Sequence, residues 1–217
     1  MAISTAVTDY RIGIVAHNKR AASAHELMEA TGAAFLSLDN GSKGCNGNHR
    51  HVLEWLSTSP TEWVVVLEDD AQPVDDFRTQ LEAALTAAPC DIVSLYLGTN
   101  YPRLWQRAIQ RATTQADQTD SPWLVSEHLL HAVGYCIRTT LVPDLLEALP
   151  EMPIDDAITT WARDQEHRIA YAWPSLTDHE DADTLISKRP TRNAPRKAHR
   201  TGIRTQWAGP TTELEYC

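Results

Sequence analysis

Short apolar runs alternate with segments of helical composition through the first hundred residues, and this alternation constrains the fold more than any other feature. "YRIGIVA" (10–16) reads as a first strand. "AASAHELMEAT" (21–31) has helical composition, with apolar positions near Ala24, Leu27, Met28 and Thr31, and Gly32 suits a helix stop. "AAFLSL" (33–38) reads as a second strand and "NHRHVLEWLS" (48–57) as a helix with Val52, Leu53 and Leu56 on one face. "EWVVVLE" (62–68) is a strand of the buried type. Pro73 suits the first turn of a helix running through "DDFRTQLEAALTAA", and "DIVSLYL" (91–97) is another strand. Strands separated by helices imply an α/β sheet covered on both faces.

The remainder is less regular. Residues 98–123 read as a loop plus a short helix, 129–138 as a strand pair or one bent strand, 155–165 as a helix opened by acids, and 168–174 as a strand. From Lys188 onward Pro, Arg, Thr and Gly dominate, so one domain is expected over 1–187 with a basic C-terminal arm or tail over 188–217. A chain of 217 residues is long enough for one sizeable core. No apolar run approaches the ~20 residues of a membrane span, and the N-terminus lacks the basic-then-apolar pattern of a secretory signal. Cys45, Cys90, Cys136 and Cys217 form no C-x-x-C pair and read as reduced cytosolic thiols, neither a disulfide framework nor a zinc site.

The net charge of −10 is unevenly spread. Residues 1–187 carry 12 Lys/Arg against 27 Asp/Glu, whereas 188–204 carry seven Lys/Arg and no acid. An acidic body with a basic arm can follow a polyanion through the arm alone; a solvated tail that aids solubility is an equally good reading of the same residues.

"WVVVLEDDAQP" (63–73) runs a buried-type strand directly into Glu68, Asp69 and Asp70. In open α/β sheets ligands sit at the carboxyl edge, where such acids hold a hard cation such as Mg²⁺ or Mn²⁺ through oxygen, and that ion bridges to a diphosphate. The competing reading is an acidic helix start, which accounts for Asp75 and Asp76 but less well for three acids directly after the strand. "GCNGNHRHVLEW" (44–55) places Gly44 and Gly47 before a helix carrying His49 and His51, a turn suited to phosphate, although surface histidines at a helix start are common. In "EMPIDDAI" (151–158), Asp155 and Asp156 open a helix, where one can cap and the other serve as a general base. His179, among acids after a strand, can complete a metal shell begun by Asp70 or be structural.

"GCNGNH", "WVVVLEDDAQP", "HAVGYCIR", "PIDD" and "PSL…H…LIS" occur in an order that resembles the family 25 glycosyltransferases, over roughly residues 10–187. The resemblance implies a GT-A fold, a Rossmann-like sheet that is mostly parallel. It also implies a UDP-sugar donor and Mn²⁺ or Mg²⁺ on its diphosphate. It places the Asp-x-Asp-type motif on Glu68, Asp69 and Asp70, with Glu68 on metal, ribose or neither. Asn18, Lys19, Arg20 and Asp39, together with Gly44 and His49, become donor-binding candidates. Asp70 and His179 become metal ligands, and Asp155, then Asp156, the base of an inverting transfer. The insertion-poor chain also looks like those of phage relatives that glycosylate 5-hydroxymethylcytosine in DNA, which would place it in a host cytoplasm. DNA contact is then expected from Arg192, Arg196, Lys197 and Arg200, with Trp105, Trp123 and Tyr101 stacking on an extruded base or merely packing a loop. Transfer to a virion protein or envelope glycan is the alternative acceptor class. A catalytically dead sugar-nucleotide- or DNA-binding protein is the non-enzymatic one. On this view removal of 188–217 weakens DNA affinity and spares UDP binding.

Overall fold

The computed structural model describes residues 8–180 and 195–216. The elements are β1 (Tyr10–His17), α1 (Ala21–Thr31), β2 (Phe35–Asp39), α2 (Gly44–Leu56), β3 (Trp63–Glu68), β4 (Ala71–Pro73), α3 (Phe77–Thr86) and β5 (Ile92–Ser94). After these come α4 (Gln106–Gln118), β6 (Trp123–Ser126), β7 (Gly134–Arg138), α5 (Val142–Ala148), α6 (Ile154–Asp164), β8 (Ile169–Ala172), β9 (Thr177–His179) and β10 (Thr211–Glu213).

Eight strands form one sheet in the order β10-β6-β8-β5-β7-β3-β1-β2, and β4 pairs with β9 in a separate two-stranded ribbon. Four of the pairings in the large sheet are parallel (β1–β2, β1–β3, β5–β8, β6–β10); β7 runs antiparallel to both of its neighbours, β3 and β5, and β6 runs antiparallel to β8. The chain therefore has an α/β fold with a mixed, mostly parallel sheet. Side chains of β3 alternate between its two faces. Val64 and Val66 join the core under α2, α4, α5 and α6, whereas Trp63, Val65 and Leu67 join the core under α1 and α3. Burial on both faces explains why "WVVVL" is uninterrupted by polar residues. Gly13 lets α2 settle close on β1, since a Cβ there would lie 2.7 Å from Val52 Cγ1. Gly32 ends α1 in the left-handed region at φ 67°, as expected of a helix stop. None of the described helices is long and apolar enough to cross a membrane.

Several local expectations shift. Pro73 closes β4 opposite Thr177 instead of opening α3. α2 begins at Gly44, so the glycines and Cys45 belong to the helix itself. Residues 98–123 hold a full 13-residue helix, α4. The regular strand of 129–138 is Gly134–Arg138 alone.

The largest difference concerns the C-terminal segment. Residues 195–216 pack on the body and do not extend from it as a tail. β10 adds an edge strand beside β6, and Gly98 and Ser175 form bridges with Ala198 and Thr201. Trp207 is 3% exposed and packs on Trp123 at 5.3 Å between ring centroids. Its indole N–H donates to Gln80 Oε1 at 3.0 Å, and its carbonyl accepts the Trp123 indole N–H at 2.9 Å. Low apolar content hid this segment, because Trp207 and Leu214 are buried anchors while backbone hydrogen bonds and arginine–aspartate pairs add to the anchoring. Trp207→Ala is expected to cost ~3–5 kcal/mol, the usual range for deleting a buried aromatic, read as a lowered urea midpoint. Truncation before 195 is accordingly expected to destabilise the body and, with it, donor binding.

Candidate active site

The parallel pairing of β1 with β3 sets Val15 beside Glu68, so both strands end at one edge. There the Asp69 N–H donates to Val15 O at 3.0 Å, and the His17 N–H donates to Asp69 Oδ2 at 2.8 Å. A short 3-10 turn, Asn18–Arg20, then carries Arg20 across the acids. One guanidinium nitrogen lies 2.8 Å from both Asp69 Oδ1 and Asp70 Oδ2. Asn18 and Lys19 are exposed at the same edge.

The β4–β9 ribbon delivers His179 to Asp70. Ala71 pairs with His179, and the Glu180 N–H donates to Asp70 O at 2.7 Å. His179 Nε2 is thereby held 3.4 Å from Asp70 Oδ2. Arg196 arrives from the C-terminal segment and donates to the same imidazole nitrogen at 3.1 Å. Two arginines thus converge on the Asp70–His179 pair, and Arg196 belongs to this edge, away from any projecting arm.

Asp70 is 7% exposed, and its Oδ1 has no hydrogen-bond partner among the described residues. Burial, and next the charge of Glu68, push its carboxyl up to about 7, against the opposing pull of Arg20. An orphaned buried carboxylate oxygen is costly and needs a partner. Asp70 Oδ2 accepts from Arg20 and His179 Nε2 from Arg196, so an ion shared by these two atoms would require both guanidinium groups to move off them, for example onto an anionic ligand. With the arginines so moved, Asp70 and His179 have the donor chemistry to hold a divalent cation.

Glu68 turns the other way, toward α2. His49 Nε2 lies 3.2 Å from Glu68 Oε1, and His49 Nδ1 lies 3.1 Å from the Tyr135 hydroxyl. His49 is fully buried, not a surface histidine, because α2 starts early and turns it onto the sheet edge. Asp39 does not reach outward. Its carboxylate accepts from the N–H groups of Gly41, Lys43 and Gly44 and from the Ser42 hydroxyl, at 2.9–3.2 Å. Burial would raise its pKa, but these donors together hold it below the usual carboxylate range. Asp39 thus already occupies the turn before α2 that looked suited to phosphate, and the Gly44 N–H is engaged there.

Asp155 sits half-buried in the first turn of α6, while Asp156 is exposed. Burial, then the neighbouring Asp156, push Asp155 up to about 6, and the charge of Glu68 adds to the shift. That coupling places Asp155 within electrostatic reach of the acidic edge. A carboxylate poised near neutrality is suited to proton abstraction.

The residues expected to meet DNA fare differently. Trp123 is 1% exposed, sealed beneath Trp207, and cannot stack on a base. Trp105 packs between His128 and Tyr216 at 4.9 and 5.4 Å. Arg200 forms a forked pair with Asp117 at 2.6 and 3.0 Å and lies over the Trp173 ring. Lys197 pairs with Asp178 at 3.3 Å. Local acids of the body thus neutralise cations that looked unpaired in the sequence. Arg192 lies outside the described residues. Tyr101 remains 66% exposed and Leu104 75% exposed.

No protein-family model and no curated protein matches the chain. Among solved structures, A197 from STIV is similar at TM-score 0.47 and 10% identity, covering 89% of this chain and 96% of that one. A glycosyltransferase involved in glycosylation of the major capsid of PBCV-1 is similar at TM-score 0.42 and 8% identity, covering 80% and 94%. These are distant likenesses of fold.

Proposed function

We propose that this edge transfers a sugar from a UDP-sugar to a hydroxyl acceptor. The observation that carries the reading is the Asp70–His179 pair, with one buried Asp70 oxygen lacking a partner among the described residues and two arginines converging on the pair. Such an arrangement suits a metal-bound diphosphate. Mn²⁺ or Mg²⁺ held by Asp70 and His179 would offset charge on the departing nucleotide. Arg20 and Arg196 supply fixed positive charge beside the same phosphates. Asp69 holds Arg20 in place and ties it to the His17 backbone. Asp155 takes the proton of the attacking hydroxyl, and a single base suits direct displacement with inversion.

The test is calorimetric titration of UDP with and without Mn²⁺. Binding is expected to tighten with the ion and to be lost in His179→Ala. Metal-independent binding that is indifferent to His179 would overturn the assignment.

For the acceptor, a hydroxymethylated pyrimidine in DNA is proposed first, on the sequence resemblance and the exposed Tyr101. The paired cations predict a weaker salt dependence than seven free charges would give. Incubation with UDP-sugars, Mn²⁺ and 5-hydroxymethylcytosine DNA, followed by nucleoside mass analysis, checks it. Transfer only to a virion protein or glycan would replace the acceptor and keep the enzyme. UDP binding with neither transfer nor donor hydrolysis would indicate a binding protein.

A further inference from the structure

A second cluster lies beside the first and is chemically unlike it. Cys45 and His49 stand four residues apart on α2, one turn above each other on one face. Glu68, the last residue of β3, meets them from the sheet. The Cys45 sulfur, a His49 ring nitrogen and a Glu68 carboxylate oxygen all lie within 4.8 Å of one another. We propose that Cys45, His49 and Glu68 form a binding site for a thiophilic divalent cation, with Zn²⁺ as the ion whose ligand preferences match.

Three observations support the site. First, the donors are a thiol, an imidazole and a carboxylate, the set zinc takes; Mg²⁺ and Mn²⁺ prefer oxygen throughout. Second, His49 is fixed for the task. It is fully buried, stacked on Tyr135 at 5.9 Å between ring centroids, and bonded through Nδ1 to the Tyr135 hydroxyl at 3.1 Å. Metal-bound histidines characteristically anchor their second nitrogen in this way. Third, the cluster is open on one side. Cys45 is exposed and Glu68 is a quarter exposed, so an ion can enter, and three protein ligands leave a fourth coordination position for solvent.

Binding is balanced by loss of one proton to solvent, from the Cys45 thiol. With Nε2 on the ion, the His49 proton sits on Nδ1, where the Tyr135 oxygen accepts it. The simpler alternative is a histidine–glutamate hydrogen bond with a bystander thiol.

The site does not rest on the transferase reading, since a different ion and largely different residues are involved. The probe is Co²⁺, titrated into the full chain after chelator treatment and without nucleotide. One equivalent is expected to raise a thiolate-to-cobalt charge-transfer band, which Zn²⁺ then abolishes. Cys45→Ser should remove the band while the far-ultraviolet dichroism stays unchanged. Tyr135→Phe should weaken affinity by ~10–100-fold, the usual cost of losing a supporting partner. Asp70→Asn should leave the band intact. Absence of the band, or its persistence in Cys45→Ser, overturns the site. Cobalt that binds without the band and is lost only in Asp70→Asn would refute this inference while leaving the Asp70–His179 site standing.

Discussion

Asp70→Asn is expected to abolish sugar transfer and, at the same time, to raise the melting temperature. Both effects come from the same buried oxygen. The substitution keeps the shape but removes the negative charge that would hold a cation, so turnover should fall by ~10³-fold or more, the equivalent of several kcal/mol. In the metal-free protein that charge is a liability. Burial and the nearby Glu68 and Asp69 push the Asp70 carboxyl up to about 7, against the opposing pull of Arg20. A carboxyl whose folded pKa is raised binds its proton more tightly in the fold than in the unfolded chain. Its contribution to stability therefore declines as pH rises from about 4 to about 7. The asparagine variant escapes the decline, so its advantage should be small near pH 4 and greatest above pH 7. An advantage of ~1–3 kcal/mol there corresponds to ~2–10 °C for a chain of this size. Thermal melts of both proteins across that range check the claim. A variant that is less stable than wild type at pH 8 would show that Asp70 is held in place by favourable pairing alone.

Asp155→Asn is expected to lower kcat by ~10²–10⁴-fold with little change in the donor KM, the usual cost of losing a general base. Its carboxyl is pushed up to about 6, so wild-type turnover should fall as pH drops below that value and the base becomes protonated. The variant should lack this acid limb. Asp156→Asn should change kcat by less than a few fold, because that side chain is exposed to solvent. Equal losses in the two variants would move the chemistry away from Asp155.

Most of the architecture was legible because burial on both sides of a sheet forces apolar runs such as "VVVL", and helices must separate parallel strands. Gly32 and the acids of α6 marked their helix ends through local chemistry. The acidic edge was legible because Asp69 and Asp70 follow Glu68, the last residue of β3, with no gap. The site was illegible where partners meet through tertiary pairing. Nothing local ties Arg196 to His179, or turns Glu68 toward His49 and away from Asp70. Trp123 looked available because it follows an irregular stretch, and only Trp207, far along the chain, shows why it is sealed. That Cys45 and His49 stand one helical turn apart can be read only once the helix is known to begin at Gly44.

The placement of Arg196 bears on the order of assembly during synthesis. A nascent chain stalled before residue 195 would have Arg20 on Asp69 and Asp70 but would lack Arg196, and β6 would be unshielded for want of β10. Such a species should hold nucleotide poorly and stick to its own kind through the bare strand. On the proposed reading, competence requires residues 195–216 to fold back onto the body and bring Arg196 to His179.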